Sequence, residues 1–155
     1  MDAKEILRQL RLPRQIARAA ALLWLISWLL PVFDDIVGWQ AFRYALSSLW
    51  PYQGRESSEI DDAVPHVLSA STNVVFIILA AHVELGRVTR SGLFLRVTIA
   101  CLLLNLYWLV QLIRDGSAGE LQVGYYAWLV AFALLVVSGV SIHRTSRTPT
   151  AGMPA

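Results

Sequence analysis

The sequence predicts an all-α integral membrane protein, a four-helix transmembrane bundle with short interfacial amphipathic helices. Of its 155 residues, 56% are hydrophobic and only 15% are charged, whereas a soluble domain carries about 25% charged residues. The charges are also clustered, and they leave four long uncharged windows at residues 19–33, 63–83, 97–113 and 121–143. Because a bilayer offers the backbone no water to bind, each window is expected to be helical.

Four membrane spans follow when the residues that flank these windows are included. A helix needs about 20 residues to cross a bilayer, and two of the windows are shorter. Arg18 and Arg96 stand before them, and their aliphatic stems can lie along the helix while the guanidinium groups reach the lipid phosphates. We predict one transmembrane domain over residues 1–147, an outer loop at 34–64 and a disordered tail at 148–155. The predicted spans lie near residues 16–33, 65–85, 93–113 and 124–143.

The Lys and Arg residues predict the orientation of these spans. Three of the 13 Lys and Arg residues, namely Arg43, Arg55 and Arg114, follow the first and third spans, and the other ten fall on the opposite side. Excess positive charge marks the cytoplasmic side. We therefore expect a multi-pass protein of the cell or inner membrane with both termini in the cytoplasm. The end of the first span, around Pro31, lacks a small-residue cleavage pattern, so we expect the span to be retained.

The N-terminal segment, residues 2–12, has the pattern of a short amphipathic helix. Its apolar side chains, Ala3, Ile6, Leu7 and Leu10, recur at helical spacing, and charged residues occupy the other face. Such a helix lies on the membrane surface. We interpret it as a surface anchor, and the alternative is a docking helix for a cytoplasmic partner.

The first half of the outer loop predicts a second interfacial helix over residues 38–50. Gly38 begins this segment and Pro51 follows it. Large apolar side chains recur at helical spacing within it, at Trp39, Phe42, Leu46, Leu49 and Trp50. Exposed apolar side chains of this kind indicate contact with lipid or with a partner in the outer leaflet.

The second half of the outer loop carries an acidic cluster. Carboxylates close together, with His66 nearby in sequence, raise the alternative of a divalent-cation site. A calcium loop needs a defined alternation of ligands and a glycine for its turn, and the acidic run over residues 56–62 has neither. We therefore predict a solvated loop and no metal or other cofactor. The cluster consists of Glu56, Glu59, Asp61 and Asp62.

Polar residues inside the predicted spans form an intramembrane polar stripe. Such residues mark either interhelical hydrogen bonds or a path for a polar solute. We favour helix packing and predict that Asn73 faces Asn105 across the interface between spans two and three. The alternative is a ligand-binding or hydrated transport path. The stripe consists of His66, Ser69, Asn73 and Glu84 on span two, and of Thr98 and Asn105 on span three.

Glu84 is the one acid within a predicted span, and it lies near the cytoplasmic end. Arg87 follows three residues later, at the spacing of a helical ion pair. His82 lies about 200° from Glu84 around the helix, at roughly 100° per residue. We therefore predict a Glu84–Arg87 pair at the membrane interface rather than a proton carrier.

Several classes of membrane protein are disfavoured by what the spans lack. The chain resembles the small multidrug-resistance antiporters in having four short spans, but those proteins depend on a Glu in the first span, and here that span has no acid. Cys101 is the single cysteine, which excludes a Cys-x-x-Cys redox motif. No catalytic residues are predicted.

These observations favour a non-enzymatic accessory or regulatory membrane protein that acts through contacts with other membrane components. Its predicted partners are the lipid bilayer and either a membrane-protein partner or further copies of itself, and not nucleic acid. The alternative is a subunit of a homo-oligomeric transporter or channel for ions or small solutes. A third hypothesis is a lipid-acting enzyme that uses Glu84, His82 or the outer acids.

Overall fold

The structure, a computed structural model, describes residues 11–47, 49–50 and 60–147, and for residues 60–63 and 147 it describes the backbone alone. This part of the chain is mostly helical and contains one two-stranded hairpin and one 3₁₀ turn, Ala118–Glu120. The elements in chain order are α1 Arg11–Ser27, β1 Pro31–Phe33, β2 Ile36–Val37, α2 Gly38–Ala45, α3 Ile60–Glu84, α4 Ser91–Arg114 and α5 Val123–Arg147.

Three helices are long and apolar enough to cross a membrane. They cover Val64–Glu84, Ser91–Arg114 and Val123–Ser146, and they coincide with the second, third and fourth predicted spans. The chain therefore has the helices of a multi-pass membrane protein. Helix α1 has 17 residues and is not one of the three.

Helix α1 ends earlier than the sequence predicts. We expected it to continue to residue 33, but it ends at Ser27 and the chain turns into β1. Pro31 explains part of this result because it has no N–H group to continue a helix. The carbonyl groups of Trp28 and Leu30 accept hydrogen bonds from the backbone of Trp39 and Gly38, at 3.1 Å each. N–H groups at the start of α2 thus bind the two carbonyl groups that a longer α1 would have paired within the helix.

The hairpin is attached to the segment that precedes α5. The backbone N–H of Asp34 donates to the carbonyl of Glu120 at 3.3 Å, and that of Gln122 donates to Val32 at 3.1 Å. Asp34 adopts a positive φ of 47° in the turn, a conformation that Asp tolerates better than most residues. A Cβ at Gly124 would lie 2.6 Å from the carbonyl oxygen of Pro31, so only glycine allows α5 to start this close to the hairpin.

Helix α2 lies where the interfacial helix was predicted, but it is shorter. It covers Gly38–Ala45, and turns follow it to Trp50 where the structure describes the chain. A Cβ at Gly38 would lie 2.8 Å from the Cα of Trp28, so α2 begins in direct contact with the end of α1. Trp39 is 42% exposed and Trp50 is 71% exposed.

The protein core lies along the contact between α1 and α5. Ala17, Ala20 and Ala131 are 2%, 0% and 0% exposed, and such small side chains let two helices approach closely. The two helices are antiparallel. Ser138, in the second half of α5, donates a 2.9 Å hydrogen bond to the carbonyl of Pro13 near the start of α1, whereas Trp128 near the start of α5 shares a hydrogen-bond acceptor with Trp24 near the end of α1. Larger buried side chains fill the space between these helices and α3, and they include Phe76, Phe132 and Leu135.

Three of the sequence predictions fall wholly or largely outside the described residues. These are the amphipathic helix at 2–12, apart from the two residues that lie in α1, the acidic residues Glu56 and Glu59, and the tail at 148–155. Asp61 and Asp62 belong to the first turn of α3, and the structure describes only their backbone.

Candidate functional site

A cavity of about 310 Å³ lies between the helices at the hairpin end of the protein, the end that holds residues 31–37 and Ala118–Glu120. Its volume is at the lower end of the range of small-molecule sites. Every helix contributes to its wall, and the hairpin and α2 cover it. The lining residues are Ser27, Trp28, Val32, Phe33, Gly38, Ala41, Phe42, Ala45, His66, Ser69, Ala70, Asn73, Trp108, Leu112, Leu121, Tyr125 and Trp128.

Aromatic side chains form much of the cavity wall. The rings of Trp28 and Phe42 lie 5.1 Å apart, which joins the end of α1 to α2. On the opposite wall the ring of His66 lies 4.5 Å from that of Trp108. Ring pairs at these distances are attractive beyond the area they bury. Contacts between rings therefore hold the apolar wall of the cavity in place. Few of the lining residues are polar.

Asn73 joins three helices at the inner end of this cavity. Its Oδ1 accepts a hydrogen bond from the indole Nε1 of Trp24 on α1 and another from the indole Nε1 of Trp128 on α5, both at 2.9 Å. An indole N–H can only donate, so the amide oxygen must face both rings. The Nδ2 group donates to the carbonyl of Ala70 at 3.3 Å. All three helices are thereby tied to one side chain.

Stacked rings fix the orientation of the two indoles. Trp24 stacks on Phe76 with ring centroids 5.5 Å apart, and Phe76 lies 4.9 Å from Phe132. Trp128 meets Phe132 edge-on at 5.4 Å. The two indoles that bond to Asn73 are therefore connected to each other through ring contacts with Phe76 and Phe132 in the core.

Asn105 belongs to a separate hydrogen-bond network between α3 and α4. Its Oδ1 accepts from the hydroxyl of Ser69 at 3.2 Å, and its Nδ2 donates to the hydroxyl oxygen of Thr72 at 3.3 Å. Its backbone carbonyl accepts from the hydroxyl of Tyr125 at 2.9 Å. The predicted pairing of Asn73 with Asn105 is therefore wrong, because each amide is turned toward different partners. Asn105 is completely buried, as expected for a packing residue.

Glu84 pairs with a different arginine from the one predicted. Its carboxylate accepts two hydrogen bonds from the guanidinium of Arg18 on α1, one of them from Nε at 2.9 Å. Arg87 comes after the end of α3, where its backbone N–H donates to the carbonyl of His82. The contact between α1 and α3 thus replaces the local pair that the helical spacing predicted.

The predicted polar stripe is divided by the structure into three parts. His66, Ser69 and Asn73 line the cavity, and Asn105 belongs with them through its hydrogen bond from Ser69. Thr98 is buried elsewhere and donates to the carbonyl of Leu95 on its own helix. Glu84 lies at the other end of α3, far from the hairpin.

Sequence reasoning missed three aromatic residues at or beside the cavity: Trp128 and Tyr125 line it, and Trp24 bonds to Asn73. Trp24, Trp128 and Tyr125 were assigned no hydrogen-bond role from the sequence. An indole N–H inside a membrane span needs an acceptor, and Asn73 was the available amide on α3. The sequence therefore held the information needed to predict a bond from a tryptophan to Asn73. At the opposite end, Ser91 on α4 bonds to His143 on α5 at 3.1 Å, a contact that no spacing indicates.

The chemistry of the cavity is that of a binding site for apolar groups. Among the described residues, no group of three or more His, Cys, Asp and Glu side chains could hold a metal ion. The amides that were candidates for binding already use their oxygens for protein donors. Comparison with protein families, curated proteins and solved structures gave no match.

Proposed function

We propose that this protein is a four-span membrane protein with both termini in the cytoplasm, and that it acts as an accessory or regulatory component through contact with other membrane components. The contact site in this proposal is the hairpin-end cavity, which receives an apolar group of a membrane partner. The observation that supports it is the combination of an aromatic cavity with buried amides that already have protein partners.

The packing of α1 supports a fourth span. Its uncharged part, residues 19–27 of the 17-residue helix, is about 13 Å long at 1.5 Å per residue, and in our proposal the following residues up to 33 complete the crossing of the roughly 30 Å hydrocarbon core. It lies antiparallel along α5, from the Pro13–Ser138 hydrogen bond to the shared contact of Trp24 and Trp128 with Asn73. A helix that lies along a spanning helix between these two contacts is expected to enter the membrane together with it.

The distribution of arginines supports the proposed orientation. Arg11, Arg14 and Arg18 lie at the start of α1, and the loop after α3 holds Arg87 and Arg90. These segments share one end of the bundle, because a Cβ at Gly86 would lie 2.7 Å from Nη2 of Arg14. This arginine end is the cytoplasmic end in our proposal, which places the cavity in the outer leaflet.

The hydrogen-bond partners favour a contact role over transport. A hydrated path needs polar groups that face a common space, whereas Asn73 and Asn105 bind neighbouring helices. Thr98 bonds to its own helix, and Glu84 is held by Arg18 at the arginine end. In our account the polar stripe therefore serves helix packing. The space open to a partner is the apolar cavity at the hairpin end.

Site-specific photo-crosslinking in native membranes tests this function. A photoreactive phenylalanine analogue replaces Ala45, which lines the cavity, and in a control chain it replaces Leu103, a 60% exposed residue on the surface of α4. We expect a discrete protein adduct from position 45 and only lipid adducts from position 103.

Filling the cavity provides the matched variant for this test. Ala41→Trp places an indole in the cavity and should abolish the adduct from position 45 while the protein still reaches the membrane. An adduct that persists in Ala41→Trp, or equal adducts from positions 45 and 103, would contradict the proposed contact site.

A further inference from the structure

We propose a second site, at the arginine end, that binds one anionic phospholipid. The phosphate lies in a pocket formed by arginines of α1, and one acyl chain lies in a groove between α1 and α3. This site is distinct from the hairpin-end cavity and goes beyond the proposed function. In the orientation given above it faces the cytoplasmic leaflet.

The headgroup pocket occupies about 270 Å³ and is lined by Arg11, Arg14, Gln15 and Arg18. These residues are spaced three, four and seven positions from the first, so they share one face of α1. Three guanidinium groups on one face attract an anion strongly, and arginine binds phosphate through paired N–H groups. The pocket is therefore complementary in charge and hydrogen bonding to a phosphate.

Arg14, one of the residues that line the pocket, also has a donor that no described protein group satisfies. Its Nε is buried and has no hydrogen-bond partner among the described residues. Buried donors of this kind are rare in native proteins and call for an explanation such as a bound ion. The guanidinium lies over Gly86, where a Cβ would be 2.7 Å from Nη2. Glycine at this position therefore leaves room for the arginine at the pocket.

The acyl-chain groove begins at Arg18 and Glu84 and has a volume of about 500 Å³. Four of its lining residues are alanines, and Trp24 and Phe76 lie toward its far end. From Ala17 to Leu25 the groove extends about 12 Å along α1, at 1.5 Å per residue. This length matches the roughly 15 Å depth of one leaflet, half of the hydrocarbon core. The lining residues are Ala17, Arg18, Ala21, Trp24, Leu25, Phe76, Ile77, Ala80, Ala81 and Glu84.

The two spaces are joined at Arg18, which lines both. A ligand that fills both must have an anionic head next to an apolar chain, and the chain must descend into the bilayer. An anionic phospholipid has this arrangement, and basic pockets at the cytoplasmic ends of membrane helices bind such headgroups. A soluble phosphate would occupy the arginine pocket and leave the groove empty.

Glu84 opposes this ligand in the structure as it stands. Its carboxylate pairs with Arg18, and the two side chains are 43% and 63% exposed. A lipid phosphate therefore competes with Glu84 for the same guanidinium. Removing the charge of Glu84 should release Arg18 for the phosphate and strengthen lipid binding.

Native mass spectrometry of the full-length protein, with an equimolar mixture of phosphatidylglycerol and phosphatidylcholine, tests the proposal. We expect the protein to retain phosphatidylglycerol preferentially, and Arg14→Gln or Arg18→Gln to lower this preference about fivefold, the equivalent of roughly 1 kcal/mol for each arginine near the surface. Glu84→Gln should raise it. Arg114→Gln, at the hairpin end, is the matched control and should leave the preference unchanged.

Ala81→Leu tests the groove separately from the arginines. Leucine at this exposed position fills the groove and should reduce the retention of phosphatidylglycerol, whereas Ala100→Leu on the exposed surface of α4 should not. Helical circular dichroism and the thermal midpoint identify any variant that fails to fold, and the comparison then rests on the remaining variants.

Three results would overturn the proposal. The first is equal retention of the two lipids by the natural chain, and the second is a preference that survives in both arginine variants. The third is full displacement of phosphatidylglycerol by millimolar inorganic phosphate together with no effect of Ala81→Leu, which would assign the arginines to a soluble anion.

Discussion

Trp24 and Trp128 donate their indole N–H groups to the same atom, Oδ1 of Asn73, at 2.9 Å each. The two tryptophans lie on α1 and α5, the antiparallel pair that forms the core, and the amide lies on α3. One carbonyl oxygen has two lone pairs, so this acceptor is fully used. The relationship fixes the positions of three helices around the inner end of the cavity.

Asn73→Leu should destabilise the protein by about 1–3 kcal/mol. The substitution removes two interhelical hydrogen bonds, each worth roughly 0.6–1.7 kcal/mol in a membrane protein, and leaves two indole donors without an acceptor. Thermal unfolding in detergent, followed by tryptophan fluorescence, measures the change. Ser71→Leu is the control, because the exposed Ser71 bonds only to the carbonyl of Val67 on its own helix. Equal midpoints for the two variants would show that the shared acceptor adds no stability.

Gly124→Val should displace the hairpin from the start of α5. The added side chain would place its Cβ 2.6 Å from the carbonyl oxygen of Pro31, and overpacking of this kind costs typically about 1–3 kcal/mol. Hydrogen exchange of the hairpin amides should increase as their bonds open. At Gly119 a Cβ meets nothing within 4 Å, so Gly119→Val should leave exchange unchanged. Protected hairpin amides in Gly124→Val would refute the close approach.

Charge reversal distinguishes the observed partner of Glu84 from the predicted one. Arg18→Glu should lower the thermal midpoint because it places two carboxylates together, and the added substitution Glu84→Arg should restore much of the loss. The effect should be small, since both side chains are largely exposed and exposed ion pairs contribute little. Combining Glu84→Arg with Arg87→Glu should give no such rescue. Rescue through position 87 instead of position 18 would favour the local pair.

Cysteine labelling tests whether α1 crosses the membrane. Cys101 is buried, and Cys101→Ala provides a background without cysteine. In this background we expect Asp35→Cys and Asp115→Cys to react with an impermeant maleimide from outside. Gln15→Cys and Thr89→Cys should react only after the membrane is permeabilised. Labelling of positions 15 and 35 from the same side would exclude a fourth span.

The sequence predicted the long helices well because their signal is a property of continuous segments. Uncharged windows of 17 residues or more became α3, α4 and α5. The end of α1 was missed because hydropathy continues through residues 28–33, while the backbone there bonds to α2 and to the segment before α5. Contacts between distant parts of the chain decide such a boundary.

The candidate site was predicted only in its polar half. The alignment of His66, Ser69 and Asn73 on one face of α3 follows from helical geometry, and the structure places all three at the cavity. Their partners do not follow, because the rotation of α1 and α5 decides which side chains reach Asn73. The same reason explains why the partner of Glu84 was predicted wrongly. Helical spacing suggested Arg87, but the packing of α1 against α3 places Arg18 next to Glu84.

Native mass spectrometry of the protein, extracted gently with its surrounding lipid, tests most directly whether it acts by contact with a membrane partner. We predict a complex that contains a distinct co-purifying membrane protein, and we predict that Ala41→Trp, which fills the hairpin-end cavity, removes this partner. A defined homo-oligomer without a partner, unchanged by Ala41→Trp, would contradict the account and favour a transporter or channel subunit.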